Sequence, residues 1–366
     1  MKHLKIWQKL ALMAIVFLVW FAAVTYKMVS SINTLGVEFA RQEMRGVDYY
    51  IPLLALLKDL QQHRSMANAW LSGDAAFRDN LATKDADIEN DIAKVDAVDQ
   101  QLDSALHTSK EWTALRAACS ELVSKTPGLS ADDSFQQHTS VIGKTIALIT
   151  HVGDASNLTL DPDIDSYYLM NVLIFQGPEV SELLAQASGL GIGMTAAKGG
   201  TAEEFERLDR LSVLVDFLQN NVKDSLSRAL AFNAALKPQL EAHINATESA
   251  VRQAAGDIRR LAASKKVDDY AVDYYGPITR SVHSIYEIEN HVTGTLIELL
   301  NKRIEKFQHE VRYILAWAAL GLLMVSLISL FIMRDITVPL GKLLAFRQPD
   351  RDRRPERASQ VRGAQG

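Results

Sequence analysis

The chain of 366 residues is 48% hydrophobic and 23% charged, which is too apolar for a disordered protein and too polar for a polytopic transporter. Its net charge of −5 is unevenly distributed, because residues 1–9 carry +3, residues 334–366 carry +4 and residues 10–333 carry −12. An acidic central segment argues against nucleic acid as a partner. Cys119 is the only cysteine, so an intrachain disulfide is excluded.

Two uncharged apolar segments, residues 10–26 and 313–333, bracket residues 27–312. A helix as long as the second segment, residues 313–333, crosses the roughly 30 Å hydrocarbon core of a bilayer. The first segment also has features of a secretory signal peptide, but its length, its bulky Trp20 and Phe21 and the lack of a clear cleavage site favour an uncleaved anchor. Lysine and arginine at both outer ends predict cytoplasmic termini and a central domain on the other side of the membrane.

The pattern of residues 27–312 is helical throughout. Apolar residues recur three and four positions apart, and strand-like alternation with Asn-Gly turns is missing. Pro52 lies inside such a stretch and is expected to kink a helix instead of ending it. Breaks are predicted at Gly73, Pro127-Gly128, Asp161-Pro162, Gly177-Pro178, Gly199-Gly200, Pro238 and Gly276-Pro277.

These breaks come too often for a single four-helix bundle, in which each helix would need about 70 residues and a length of roughly 100 Å. We therefore expect an all-α protein with two transmembrane helices flanking an elongated periplasmic helical bundle. Two stacked bundles that share the long first and last helices fit the spacing best.

Arg64 and Asn68 lie one helical turn apart on the same face, with Gln61 one turn before them. A planar guanidinium fork beside amides suits the oxygens of a carboxylate, nitrate or phosphate, so both residues are candidate ligand contacts. The alternative is an interhelix ion pair or a capping contact inside the bundle. His63 is expected to be a polar bundle residue and not a base.

The segment 157–171 contains three closely spaced acids, but its spacing lacks the glycine and the final glutamate of a calcium loop. Asp161 is instead expected to cap a helix with Pro162 in its first position. Tyr168 and Asn171 then share a face and are candidate walls of a small-ligand pocket. The alternative is that they are core residues with satisfied hydrogen bonds.

The sequence has no phosphate-binding glycine loop, HExxH, CxxC or nucleophile elbow. We therefore expect no enzyme activity, no catalytic residue, no metal site and no cofactor. Residues 336–344 follow the second apolar segment, and Pro339 is expected to begin a new helix there.

The two-pass layout, the Ile336-Thr337-x-Pro339-Leu340 stretch and the segments around Arg64 and Asp161 resemble bacterial methyl-accepting chemotaxis receptors. The stretch after the second pass is similar to the start of a HAMP signalling module. The other two segments are similar to those of helical bimodular or nitrate-sensing domains. The resemblance implies a homodimeric inner-membrane receptor that senses a small periplasmic ligand, an anion being one option, and that contacts membrane lipid.

The resemblance covers the chain to about residue 345, with residues 334–345 as the start of a HAMP module and residues 346–366 as a disordered basic tail. We expect this chain to lack its cytoplasmic output domain, so that cytoplasmic kinase partners cannot contact it. Two alternatives stay open: the sensor stem of a histidine kinase or cyclic-nucleotide enzyme, and a structural membrane-anchored helical spacer.

Overall fold

A computed structural model describes residues 6–267 and 270–346 of the chain. This part is helical and contains no strand, so the predicted fold class is confirmed. Two short π-helical segments, Asn33–Glu38 and Val172–Gln176, precede α2 and α7. The α-helices are α1 (Ile6–Ile32), α2 (Phe39–Leu71), α3 (Phe77–Leu106), α4 (Ser109–Lys125), α5 (Ala131–Ala155), α6 (Ile164–Asn171), α7 (Gly177–Ala196), α8 (Ala202–Phe232), α9 (Lys237–Ser264) and α10 (Tyr270–Phe346).

The described residues form two compact units. One unit spans residues 36–305, and the other combines the segments before residue 36 and after residue 305. In the second unit, α1 and the later part of α10 each hold an apolar window long enough to cross a membrane, and neither window is buried in the protein. Large apolar side chains such as Trp20 and Trp317 are more than two-thirds exposed there. The two predicted apolar helices are therefore present and leave their side chains available to lipid.

In the unit of residues 36–305, α2 is the central helix. It packs on α3 and α5 on one side and on α7 on another, while α8 packs on α6, α7 and α9. Leu53, Leu56, Leu57 and Leu60 of α2 are all fully buried. A helix buried on several sides needs apolar residues around much of its circumference and not along a single stripe.

Hydrogen bonds along α2 show where this helix contacts α3, α7 and α10. Tyr49 near its start bonds to α3, Asn68 near its end bonds to α7, and Gln61 between them bonds to α7 and α10. Helix α2 is therefore shared, because α3, α7 and α10 all form side-chain hydrogen bonds with it. Pro52 lies inside α2, as predicted.

Two predicted breaks are wrong. Gly276-Pro277 lies within α10, where a proline removes only one helix hydrogen bond and Ile278 in the next position is fully buried. Gly177-Pro178 follows directly on a π-helical turn and begins α7 without a loop. The glycine serves close packing instead, because a Cβ at Gly177 would overlap the Glu289 carboxylate of α10.

The predicted capping role of Asp161 is also wrong. Helix α6 begins at Ile164 with Asp163 in the capping position. Asp161 Oδ1 instead accepts from Arg303 Nη2 at 2.7 Å and from Ser166 Oγ at 2.9 Å. The same Oδ1 also accepts the backbone N–H of Asp163 at 2.9 Å, one position before the helix begins, and the charged guanidinium supplies the stronger of these contacts.

Helix α10 continues to Phe346, so Pro339 lies within a helix and does not begin a new one. The disordered tail is predicted for residues 346–366, and Phe346 is the last residue of α10. Residues 347–366 and residues 1–5 lie outside the described part of the chain.

Candidate functional site

Arg64 is fully buried and paired. Its guanidinium donates two parallel hydrogen bonds to Glu182 of α7, at 2.6 Å to Oε1 and 3.0 Å to Oε2. Nη1 also donates to Thr139 Oγ1 of α5 at 3.0 Å. This is the interhelix ion pair that the sequence left open as an alternative, and the bidentate geometry makes it a strong one.

Asn68 faces α7 one turn further along, as its position on the face of Arg64 predicted. Its Nδ2 donates to the Gly189 carbonyl at 2.7 Å. A Cβ at Gly193 would overlap the Asn68 amide. Asn68 therefore joins α2 to α7 at a close approach that glycine allows.

Gln61 extends the polar contacts of Arg64 towards α10. Tyr286 of α10 donates from its hydroxyl to Gln61 Oε1 at 2.7 Å, and Gln61 Nε2 donates to Glu182 Oε2 at 3.2 Å. Burial raises the pKa of Tyr286 well above its usual value, so its hydroxyl stays a donor. One connected network thus links α2, α7 and α10.

A cavity of about 200 Å³ lies beside this network, between α2, α7 and α10. We call it the small cavity. Lys58 Nζ lies 5.8 Å from the centre of the Tyr286 ring, and the basic residues of the lining are Lys58 and His283. No carboxylate belongs to the lining, which suits an anion. It is lined by Lys58, Gln61, Gln62, Ser65, Met66, Ala185, Ser188, Thr279, Val282, His283 and Tyr286.

A wider cavity of about 740 Å³ lies on another side, where Asn68, Phe135 and Arg207 line its wall. We call it the wide cavity. The guanidinium carbons of Arg64 and Arg207 lie 5.0 and 4.9 Å from the centre of the Phe135 ring. Its lining also includes Asp132, Glu203 and Glu204, so charges of both signs meet there.

Tyr168 and Asn171 lie at a different place in the domain. The Arg228 guanidinium of α8 lies 5.9 Å from the centre of the Tyr168 ring, and Asn171 Nδ2 donates to Ser225 Oγ at 3.3 Å. At 1.5 Å per residue, Arg228 is roughly 30 Å along α8 from Arg207. The structure therefore does not bring the two predicted pairs of ligand contacts into one site.

Two further polar clusters adjoin α2. His63 Nδ1 lies 2.6 Å from His138 Nε2, His63 Nε2 lies 2.8 Å from Asp85 Oδ1, and His138 Nδ1 lies 2.6 Å from the Ser134 carbonyl oxygen. Burial, together with the neighbouring His63, lowers the pKa of His138 to about 3. A neutral His138 that donates to the Ser134 carbonyl must accept at its other nitrogen, so His63 donates to it.

The second cluster is centred on Arg303 of α10. Its guanidinium contacts Glu43, Asp161 and Asp163, each at 2.7 Å. Burial and the charge of Asp161 raise the pKa of Glu43 to about 8. A proton on Glu43 thus reduces the electrostatic repulsion between the three carboxylates that surround one guanidinium.

Sequence reasoning missed Glu182, Lys58, Tyr286 and Arg207. None of them stands in a recognisable motif, and each becomes notable only through a partner on another helix. Among the residues that the structure describes, no group of three or more histidine, cysteine or acidic side chains could hold a metal ion.

Comparison with protein families gives a match over residues 55–297, more than half of the chain, to the NIT family of nitrate and nitrite sensing. Comparison with solved structures gives the NasR transcription antiterminator, with a TM-score of 0.58 and 16% identity over 91% of this chain and 90% of that chain. At this identity the likeness concerns the fold alone. No curated protein sequence matches the chain.

NIT domains are typical of membrane sensors with two transmembrane helices, and this chain carries two apolar helices of sufficient length around the matched region. A sensing domain points to a receptor and not to an enzyme. The match covers all the residues of α2 from position 55, the Arg64 network and the linings of both cavities. The chain belongs to the NIT family, described as nitrate and nitrite sensing.

Proposed function

We propose that this chain is a membrane-anchored sensor that binds nitrate or nitrite in the small cavity. For a chain of this family, one observation carries the proposal. The lining of the small cavity contains basic and amide side chains and no carboxylate. The cavity also adjoins the buried Arg64–Glu182 pair. Lys58, the amides of Gln61 and Gln62 and the hydroxyls of Ser65 and Ser188 would bind the anion.

The size of the ligand limits its affinity. The best small ligands gain about −1.5 kcal/mol per non-hydrogen atom, so a four-atom anion reaches about −6 kcal/mol at most. That free energy corresponds to a Kd of roughly 40 μM. A cavity of about 200 Å³ can hold such an anion together with a few bridging waters.

The sequence suggested Arg64 and Asn68 as anion contacts. In this proposal they respond to the anion through the hydrogen-bond network that includes Gln61 and Glu182. An anion at Gln61 competes with Glu182 for the hydrogen bonds of Gln61 and for the Arg64 guanidinium. Loss of the Gln61–Glu182 bond would loosen α7 from α2, and Asn68 would set how far the two helices separate. Ligand binding would thus favour one of two packings of α2, α7 and α10.

The same proposal includes the setting of the domain. Lysines before α1 and arginines after residue 333 favour cytoplasmic termini and a periplasmic domain in the inner membrane. A second copy of the chain would complete a homodimer. Helix α10 carries both cavity residues and the second apolar segment, so a shift of this helix would carry the signal to the cytoplasmic side.

Binding can be tested with the full chain in detergent, by thermal unfolding and calorimetry with sodium nitrate, sodium nitrite and sodium chloride. We expect nitrate or nitrite, but not chloride, to raise the unfolding midpoint by mass action. Lys58→Met should abolish the rise, and the exposed control Lys110→Met should keep it. Equal nitrate affinity in Lys58→Met and the unmodified chain would disprove the small cavity as the site.

The output is proposed to be of the chemotaxis type, supported by the resemblance of residues 336–340 to the start of a HAMP module. A chimera of residues 1–345 with the cytoplasmic part of a chemotaxis receptor tests this idea. We expect nitrate to change the kinase activity of cells that carry the chimera, and the Lys58→Met chimera to stay silent. A chimera that binds nitrate and leaves kinase activity constant would favour a different output class.

A further inference from the structure

We propose that the wide cavity is a second ligand site, separate from the oxyanion site, and that it takes a small α-amino acid. Arg207 would bind the carboxylate, Asp132 and Glu203 would face the ammonium group, and Phe135 would contact the carbon chain.

The first observation is the state of Arg207. Its side chain is half-buried, and Nη2 donates to Gln186 Oε1 at 3.0 Å. In the part of the chain that the structure describes, Arg207 forms no ion pair. Burial, and then the positive charge of Arg64, lower the pKa of Arg207. A partly desolvated guanidinium that makes no direct ion pair can form one with an anionic ligand.

The second observation is the contrast with Arg64. Both guanidinium groups lie about equally far from the ring of Phe135. Arg64 has its charge balanced by the bidentate contact with Glu182. Only Arg207 lines the wide cavity, so a carboxylate that enters there can form the corresponding pair with Arg207.

The third observation is the acidic part of the lining. Asp132 accepts from Gln136 Nε2 at 2.8 Å, and the Glu204 carboxylate accepts the backbone N–H of Thr201 at 2.7 Å. Glu203 is exposed at the same wall. Negative charge close to Arg207 disfavours an inorganic anion or a polyanion. It favours a ligand that carries an ammonium group beside its carboxylate.

The fourth observation is size. A volume of about 740 Å³ lies in the range of sites for organic ligands and far exceeds the need of a four-atom anion. Phe135 and Leu190 supply apolar surface, while Asn68 and the backbone at Gly199 and Gly200 supply polar surface. This mixture fits a short amino acid with an apolar or amide side chain.

The test uses the full chain in detergent and calorimetric titration with L-alanine, L-leucine and L-glutamine. Propionate and ethylamine serve as probes that lack one of the two charged groups. We expect at least one amino acid to bind, with propionate and ethylamine at least tenfold weaker. Arg207→Gln should weaken binding at least tenfold, and Arg210→Gln, an exposed arginine one turn along α8, should leave it unchanged.

Further variants separate a binding role from a structural one. Asp132→Asn should reduce the preference for the amino acid over propionate while its melting curve stays cooperative. Arg207→Gln should keep the nitrate response, which depends on Lys58. The proposal is overturned if no amino acid binds, or if Arg207→Gln binds it as tightly as the unmodified chain. Both outcomes leave the nitrate site untouched.

Discussion

At the residue scale, Arg64 and Glu289 show two ways in which this domain accommodates a buried ionisable group. Arg64 is paired with Glu182. Glu289 is fully buried, and the Tyr50 hydroxyl donates a long hydrogen bond of 3.4 Å to its Oε1. Burial raises the pKa of Glu289 well above its usual value, which favours the protonated form of this carboxyl group. One group is thus balanced by an opposite charge, and the other is shifted towards its uncharged form.

Removal of one partner of the buried pair should destabilise the fold. Glu182→Ala leaves the Arg64 guanidinium buried without a carboxylate, and we expect the free energy of unfolding to fall by about 3–5 kcal/mol. Urea unfolding followed by circular dichroism measures it. Glu121→Ala breaks the exposed pair with Lys125 and should leave the free energy of unfolding nearly unchanged. A similar loss in both variants would contradict the buried ion pair.

His138 should make the domain sensitive to acid. Its pKa is lowered from 6.5 in the unfolded chain to about 3 in the folded protein, so between these values the unfolded chain binds the extra proton. Stability is therefore lost as the pH falls from 6.5 towards 3, by about 4 kcal/mol for this group.

His138→Gln removes that contribution. We expect the unfolding free energy of the variant to depend less on pH over the same interval than that of the unmodified chain, as measured by urea unfolding at several pH values. Parallel pH profiles for the two proteins would show that His138 titrates normally in the folded state.

At the element scale, helix contacts depend on glycines at the crossings. A Cβ at Gly46 of α2 would overlap Ser156 and Leu158, and one at Gly193 of α7 would overlap Asn68. The α6–α7 junction is also unusual, because a π-helical turn at Val172–Gln176 replaces a loop. Gly193 thus allows α7 to approach α2 closely, and Gly46 allows α2 to approach the segment that follows α5.

Two glycine variants separate close packing from helix propensity. Gly46→Ala should lower the free energy of unfolding by about 1–3 kcal/mol through overpacking. Gly143→Ala in α5, where an added Cβ meets nothing within 4 Å, should raise it by about 0.5–1 kcal/mol. Thermal unfolding of the two variants gives the signs, and a stabilised Gly46→Ala would refute the close contact with Ser156.

At the scale of the whole molecule, residues 36–305 hold a core of their own and the apolar segments lie outside it. The exposed apolar side chains of α1 and of the later part of α10 require lipid or detergent. The unit of residues 36–305 is thus suited to water, and the apolar segments are suited to a lipid or detergent environment.

We expect the fragment of residues 36–305 to be soluble without detergent and to unfold in one cooperative step. Its core does not use the apolar segments, so their removal takes away surface that aggregates in water and leaves the core complete. Circular dichroism and calorimetry measure the transition. A fragment that lacks a cooperative transition while the full chain in detergent has one would show that the apolar segments contribute to the fold.

The sequence by itself determined the all-helical class, the two apolar helices and the common face of Arg64 and Asn68, since helix periodicity and span length are local properties of the chain. The HAMP start, the homodimer and the roles of Tyr168 and Asn171 stay predictions. Tertiary structure alone decided that Glu182 balances Arg64, that Asp161 binds Arg303 and that Gly177 serves packing. Each of these depends on a partner more than a hundred residues away, and periodicity within one helix carries no information about which other helix its face will meet.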